Sequence, residues 1–240
     1  MRLHEHERPT ATHYRIRAMA WAGWLFDFYD LVLYTFVLGA IGADLGFGRA
    51  EHAWILGLSL GATAVGGIVF GALADRFGRK SVLQWTILTY SAGVFLSGLA
   101  PDMYWLALFR VLTGLGVGGE WATGHSLVSE VFPPRLRGRY GALMQTGAPL
   151  GVGLAAIVGS FVAPVIGWRA TFMISALPAL LVTLIRRWVP ESDIWLEASS
   201  TARGRRRLSP ATTLPALLAP DMAWRTIRAF VLTTCNMSAY

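Results

Sequence analysis

Four charged side chains lie inside long apolar runs of the sequence, where a charge is costly to bury. Asp27 and Asp30 belong to the first such run, and Arg110 and Glu120 belong to the fourth. In hydrocarbon, each of these charges costs several kcal/mol unless it is paired or hydrated. Charges at such positions therefore indicate chemistry that takes place inside a membrane.

The spacing of these residues suggests what that chemistry is. The two aspartates are three positions apart and so share one face of a helix. Near the middle of a membrane, two such acids can share and exchange a proton. Arg110 cannot release its proton, which suits it to an anionic substrate or to the role of a permanent counter-ion. At the rise of an α-helix, Arg110 and Glu120 lie about 7 Å to either side of the membrane centre.

Asp27, Asp30, Arg110 and Glu120 are therefore the predicted substrate and proton site. The alternative is a purely structural ion pair that holds the first and fourth helices together. The residues alone leave both interpretations open.

Long helices must position these residues, and the composition favours them. Of the 240 residues, 54% are hydrophobic and 15% are charged, whereas soluble domains carry about 25% charged residues. A bilayer is crossed by about twenty apolar residues in a helix. Runs of this kind lie near residues 18–41, 53–74, 81–100, 103–127, 140–163 and 168–189, and a further run begins near Trp224. The sequence predicts an all-α membrane protein that contacts the lipid bilayer.

Several other classes of protein are excluded by the same composition. The net charge is +7, but the cations punctuate apolar runs instead of forming one stripe, so no nucleic-acid partner is expected. The single Cys235 supports neither a disulfide framework nor a metal site. No span carries a nucleophile–base pair or a cluster of metal ligands, so we expect no enzyme, no metal and no cofactor.

Lys and Arg concentrate in the segments that an N-terminus-inside topology places in the cytoplasm. The predicted organisation has four parts. They are a cytoplasmic tail at 1–17, a six-helix bundle at 18–189, a cytoplasmic linker at 190–222 and the start of a seventh helix at 223–240. The predicted location is the plasma (inner) membrane.

The turn between the second and third spans is densely charged, with Asp75, Arg76, Arg79 and Lys80 close together between Gly71 and the next helix. Asp75 can bind the amides at the start of the next helix and pair with arginines nearby. Glu130 and Arg137, at the next turn on the same side, are similarly placed. We interpret these residues and Gly78 as a cytoplasmic gate that forms when that side is closed; the alternative is an anchor of positive charge.

The sequence Gly71-Ala-Leu-Ala-Asp-Arg-Phe-Gly-Arg-Lys80 closely resembles the loop 2–3 signature of the major facilitator superfamily. Three further segments resemble signatures of the same family in the same order. They are Arg110 to Trp121, Glu130 to Arg139 and Pro190-Glu-Ser192. The resemblance covers about residues 15–195.

The resemblance implies twelve helices and a cavity between two six-helix halves, of which this chain would supply the N-terminal half as two inverted three-helix repeats. It implies a secondary active transporter, most similar to the proton symporters of organic acids and metabolites, working by alternating access. The expected partners are a small anionic substrate and protons, with the proton gradient as driving force.

Two further readings stay open. Sugar or drug transport within the same family is one, and a membrane scaffold without transport is the other. Because the sequence stops inside the seventh helix, we expect a fragment that lacks its C-terminal half; a half-sized protein that works as a homodimer is the alternative.

Small residues recur at four-residue spacing in the spans, which predicts close helix–helix seams. The pairs are Gly57/Gly61, Gly67/Gly71, Gly114/Gly118 and Gly147/Gly151.

Overall fold

The computed structural model describes residues 9–177, 184–185, 187–200, 215 and 219–237. Over these residues the chain is helical and contains no strand. The helices are α1 (Ala11–Leu45), α2 (Arg49–Phe77), α3 (Arg79–Gly98), α4 (Met103–Val131), α5 (Arg137–Gln145), α6 (Gly147–Ile157), a π-helical turn (Val158–Val162), α7 (Ala163–Ile166), α8 (Trp168–Ser175), α9 (Asp193–Ser200) and α10 (Pro220–Met237). The predicted all-α architecture is confirmed.

Helices α1, α2 and α4 contain the first, second and fourth apolar runs and extend beyond them. Three of the described stretches are long and apolar enough to cross a membrane: α1, α2 and the stretch Arg137–Ile166. The α4 helix has 29 residues but is not one of these three stretches, and it carries Arg110 and Glu120. Of the predicted sixth span, α8 is described, whereas residues 178–183 and 186 lie outside the described part.

Helix α4 is central to the packing of the bundle. It lies against α2 on one side and α3 on another, while α1 packs against α6 and α4, and α8 packs against α3. Small residues make these approaches close. A methyl group at Gly118 would collide with the carbonyl oxygen of Thr63 in α2, and one at Gly151 would collide with the carbonyl oxygen of Leu25 in α1.

The predicted glycine seams are therefore correct for two pairs, Gly114/Gly118 and Gly147/Gly151. At Gly67 and Gly71 an added methyl would make ordinary contact with α4, at 3.4 Å and 3.6 Å from the nearest atoms. The prediction is wrong for Gly57 and Gly61, which are exposed and have no neighbour within 4 Å in the described part of the chain.

The fifth apolar run is interrupted twice. Its first break is at Thr146, because α5 ends at Gln145, four residues before Pro149. Proline has no amide hydrogen to donate to the carbonyl of Gln145. The second is the π-helical turn at Val158–Val162. The break at Thr146 lies where a kink was predicted from Pro149, and the kink predicted at Pro178 lies outside the described residues.

The seam between α2 and α4 provides a test of this packing. We expect Gly118→Ala to lower the free energy of unfolding by about 1–3 kcal/mol, because the new methyl group overpacks a contact with rigid backbone. The matched control is Gly61→Ala on an exposed face of α2, expected to change stability by less than about 0.5 kcal/mol. Thermal unfolding of the purified protein measures both, and equal effects would contradict the seam.

Candidate functional site

A buried ion pair joins α1 to α4 in the interior of the bundle. The Nη1 atom of Arg110 lies 3.0 Å from Oδ2 and 3.3 Å from Oδ1 of Asp30. The two side chains are only 4% and 6% exposed. On α3, the hydroxyl of Ser97 accepts a hydrogen bond of 3.0 Å from Nε of Arg110. Three helices thus contribute to holding one cation.

Aromatic rings enclose the same guanidinium group. It lies 4.7 Å from the ring centre of Phe172 in α8 and 5.4 Å from that of Tyr34 in α1. Its Nη2 atom is buried and has no hydrogen-bond partner in the described part of the chain. A cavity of about 20 Å³ adjoins the pair, lined by residues that include Asp30, Tyr34 and Arg110. Arg110 therefore has hydrogen-bonding capacity that Asp30 and Ser97 do not use.

The other two acids form a second group, about one turn of α1 away from the pair. Asp27 accepts a hydrogen bond of 3.0 Å from Nε1 of Trp121. The carboxylate of Glu120 occupies the space that a side chain at Gly23 would need. Oδ1 of Asp27 and Oε2 of Glu120 are buried without a hydrogen-bond partner among the described residues.

The structure thus divides the four residues predicted from the sequence into two pairs. Asp30 and Arg110 compensate each other, whereas no described contact supplies a cation to Asp27 or Glu120. Burying two carboxylates without a counter-charge is costly, and a bound proton removes one of the charges. The two acids are therefore suited to holding a proton, and the ion pair is suited to exchanging partners.

At the end of the bundle that carries the charged turn, Arg79 connects α2, α3 and α4. Its Nη2 atom lies 2.9 Å from a carboxylate oxygen of Asp75 and 2.9 Å from one of Glu130. Its Nε atom donates to both oxygens of Glu130, and its Nη1 atom donates to the carbonyl of Ala74. Asp75, Arg79 and Glu130 thus form a single charged cluster.

The segment after the sixth apolar run takes part in the same region. Glu191 accepts hydrogen bonds of 3.1 Å and 3.3 Å from the backbone amide of Lys80, in the first turn of α3. The indole of Trp195 in α9 donates to the carbonyl oxygen of Asp75 at 2.7 Å. The capping role that the sequence suggested for Asp75 is therefore filled by Glu191, since Asp75 pairs with Arg79.

The remaining predicted gate residues have simpler surroundings. Nε of Arg137 donates to the carbonyl of Phe132 at 3.0 Å. The guanidinium of Arg76 lies 5.2 Å from the ring centre of Phe77. Gly78 has φ +98° at the turn between α2 and α3, a conformation that favours glycine. Gly71 faces α4.

Three contributors to these sites were missed in the sequence. Ser97 and Phe172 lie in apolar runs where serine and phenylalanine are common, so nothing in the sequence distinguishes them. Glu191 belongs to a recognised segment, but its contact with Lys80 joins residues 111 positions apart. Among the described residues, no group of three or more His, Cys, Asp or Glu side chains could hold a metal ion.

Comparison with known proteins gives one family. Residues 20–240 match the Major Facilitator Superfamily. The sialic acid transporter NanX of Escherichia coli K12 is 39% identical over 74% of this chain and 44% of its own length. The niacin transporter NiaP of Acinetobacter baylyi is 39% identical over 77% of this chain and 42% of its own. The chain thus spans less than half the length of these relatives.

Solved structures show the same fold. The proton:xylose symporter XylE, which comes from E. coli, superposes with a TM-score of 0.68 at 21% identity. The superposition covers 91% of this chain and 54% of XylE. At this level of identity the likeness concerns the fold alone.

The ion pair between Asp30 and Arg110 can be tested by stability. Arg110→Met leaves a buried carboxylate without its cation, and we expect a loss of about 3–5 kcal/mol. Asp30→Leu/Arg110→Met removes both charges and should recover most of that loss, because a well-packed apolar pair replaces a buried ion pair at little cost. Thermal unfolding of the purified variants measures both. A double variant no more stable than Arg110→Met would show that the two groups are not coupled.

Proposed function

This chain belongs to the Major Facilitator Superfamily, and on that premise we propose that the whole protein takes up a small organic anion together with protons. The names of two relatives, a sialic acid transporter and a niacin transporter, support an acidic metabolite as substrate. The chain is an integral membrane protein. We further propose that it lies in the inner membrane with its N-terminus in the cytoplasm, from the distribution of Lys and Arg.

One observation carries the proposal: the buried ion pair of Asp30 and Arg110, 3.0 Å apart. A carboxylate substrate and the Asp30 carboxylate are alternative counter-ions for the same guanidinium group. A proton on Asp30 neutralises the acid and frees Arg110 for the substrate. Proton and anion then bind together, and neither leaves an uncompensated charge in the bundle. This exchange of counter-ions is the proposed basis of symport.

The acids Asp27 and Glu120 extend the proton site toward the cytoplasm. Asp27 is three residues from Asp30 on α1, about 4.5 Å along the helix axis. Neither acid has a cation partner among the contacts described. Asp27 and Glu120 can therefore accept a proton that leaves Asp30, because protonation of one acid removes a buried, uncompensated charge. In this proposal the three acids form one path along α1 and α4.

Alternating access requires contacts that differ between the two open states. The cluster of Asp75, Arg79 and Glu130 lies at the proposed cytoplasmic end and ties α2, α3 and α4 together. The attachment of Glu191 and Trp195 adds the segment after the sixth run. We propose that this assembly stabilises the state in which the cytoplasmic side is closed.

The coupling prediction concerns Asp30. In proteoliposomes that contain the whole protein, Asp30→Asn should abolish accumulation of labelled niacin or sialic acid driven by a pH gradient. Exchange of labelled for unlabelled substrate at equal pH should survive, because it needs no net proton movement. Arg110→Ala should instead weaken substrate binding about tenfold to a hundredfold, through loss of a charge-assisted hydrogen bond.

The control for this experiment is the neutralisation of both aspartates. If Asp27→Asn/Asp30→Asn retained proton-driven accumulation, the proton site would not lie on α1. It would then lie at Glu120 or in a part of the protein outside this chain.

The gate prediction concerns Asp75. Asp75→Asn removes one of the two carboxylates that face Arg79, which weakens the closed cytoplasmic side by roughly 1 kcal/mol. We expect about fivefold slower turnover, with substrate affinity from the outside unchanged, as measured by initial rates over a concentration series. Glu51→Gln, at the opposite end, is the control. Weaker outside binding with normal turnover would contradict the gate.

A further inference from the structure

A buried histidine lies near the end of the bundle opposite to the charged turn. His52 is in the first turn of α2 and is 6% exposed. The hydroxyl of Tyr34 in α1 lies 3.3 Å from its Nδ1 atom, and either group can be the donor. The ring also packs against Phe47, with 4.6 Å between ring centres. Neither His52 nor the Tyr34 hydroxyl takes part in the mechanism above.

These two residues lie between two cavities. On one side is an open cavity of about 600 Å³ whose lining includes Gly42, Phe47, Leu56 and His52. On the other is the cavity of about 20 Å³ that Tyr34 lines together with Asp30 and Arg110. Leu56 borders both. A space of this smaller size has room for about one water molecule, which could join the Tyr34 hydroxyl to the Asp30 carboxylate.

The three acids nearest this end of the bundle each have a partner other than His52. On its own helix, Glu51 accepts a hydrogen bond of 2.9 Å from the amide of Gly48. Asp44 at the end of α1 pairs with Arg169 at 2.9 Å. Asp102 before α4 accepts from two amides in the first turn of that helix. Arg49 lines the open cavity, and Arg110 lies over the ring of Tyr34.

We propose that His52 and Tyr34 form a proton relay that carries protons from the open cavity, on the outer side, to Asp30. The proposal rests on the proton symport proposed above. It assigns a route to the proton that the ion pair must receive, through the contact of His52 with Tyr34 and the small cavity that Tyr34 shares with Asp30.

The chemistry requires no group beyond these and water. Imidazole can hold a proton on either ring nitrogen and changes its charge in the physiological range. A proton enters at Nε2 of His52, and the proton on Nδ1 passes to the oxygen of Tyr34. The hydroxyl proton of Tyr34 moves at the same time to the water and then to Asp30. One proton is moved in total, and His52 ends as the other neutral tautomer, with its proton on Nε2 instead of Nδ1.

A purely structural role predicts different behaviour. If the contact between Tyr34 and His52 only fastens α1 to α2, its loss should reduce stability and slow every mode of transport equally. A relay instead affects only those modes that require a proton from outside, and it does so most strongly where protons are scarce. The two roles can therefore be separated by comparing modes of transport over a range of external pH.

The test uses the whole protein in proteoliposomes at constant internal pH, with labelled niacin and labelled sialic acid in separate assays. His52→Gln keeps a hydrogen-bonding side chain but cannot titrate, and Tyr34→Phe keeps the ring over Arg110 but removes the hydroxyl. We expect both variants to slow proton-driven uptake about tenfold or more near neutral external pH. The rate should recover as the external medium is made more acidic, which shifts the pH profile to lower pH.

Exchange at equal pH should stay within about twofold of the wild type in both variants, since catalysis of proton uptake is not needed there. The matched control is His125→Gln, which changes a partly buried histidine packed on Trp24 with 4.8 Å between ring centres. It should leave the pH profile unchanged.

Two results would overturn the relay: pH profiles like that of the wild type, or an equal loss of uptake and exchange together with lower thermal stability. Failure of the symport proposal itself is recognised separately, because the wild-type protein would then show no proton-driven uptake. Retained uptake in Asp30→Asn would instead place the proton site elsewhere than Asp30. If Asp30→Asn abolishes that uptake and the His52 and Tyr34 variants do not change it, symport stands and the relay is wrong.

Discussion

The interior of this bundle depends on the cost of leaving a charge without water or a partner. Asp30 and Arg110 neutralise each other's charge at a distance of 3.0 Å. Because Arg110 also donates a hydrogen bond to Ser97, α1, α3 and α4 meet at this point. Removing one partner of a buried pair is far more damaging than removing both. A substitution at one position is therefore expected to be costly unless the other position changes as well. The same contact holds α1 against α4 where the two helices cross.

Asp27 and Asp30 illustrate how the surroundings of a residue determine its properties. Asp30 is paired with the guanidinium of Arg110, whereas Asp27 has an indole donor and an uncompensated neighbour in Glu120. The difference arises from the neighbours that α4 presents at each depth. Arg110 and Glu120 are ten positions apart on that helix, so two chemically opposite environments lie along a single seam.

Much of this arrangement follows from the sequence. The apolar runs predict the spans because a helix needs about twenty such residues to cross a bilayer. The cost of a charge inside such a run made Asp30 and Arg110 candidates for the same site. The charged turn also identified the family. These features are local, or depend only on distance along a helix axis.

Other features depend on which helix faces pack against each other, and the pattern of a single sequence does not show this. Gly57 and Gly61 have the same spacing as Gly114 and Gly118, yet only the second pair lies in a seam among the described helices. Glu191 binds the start of α3 because the chain returns there after more than a hundred residues. The hydroxyl of Ser97 is a ligand of Arg110 only because α3 is turned toward it.

The π-helical turn at Val158–Val162 has a consequence for comparing this chain with others. Such a turn holds one residue more than the α-helical turn it replaces, and each residue of a helix advances the side-chain direction by about 100°. Side chains on α7 are therefore rotated relative to those of α6 by one position. A homologue whose fifth span is a regular helix would align correctly only with a one-residue gap here, near Gly159, which packs against Phe36. Without that gap, substitution patterns beyond the turn would be assigned to the wrong face of the helix.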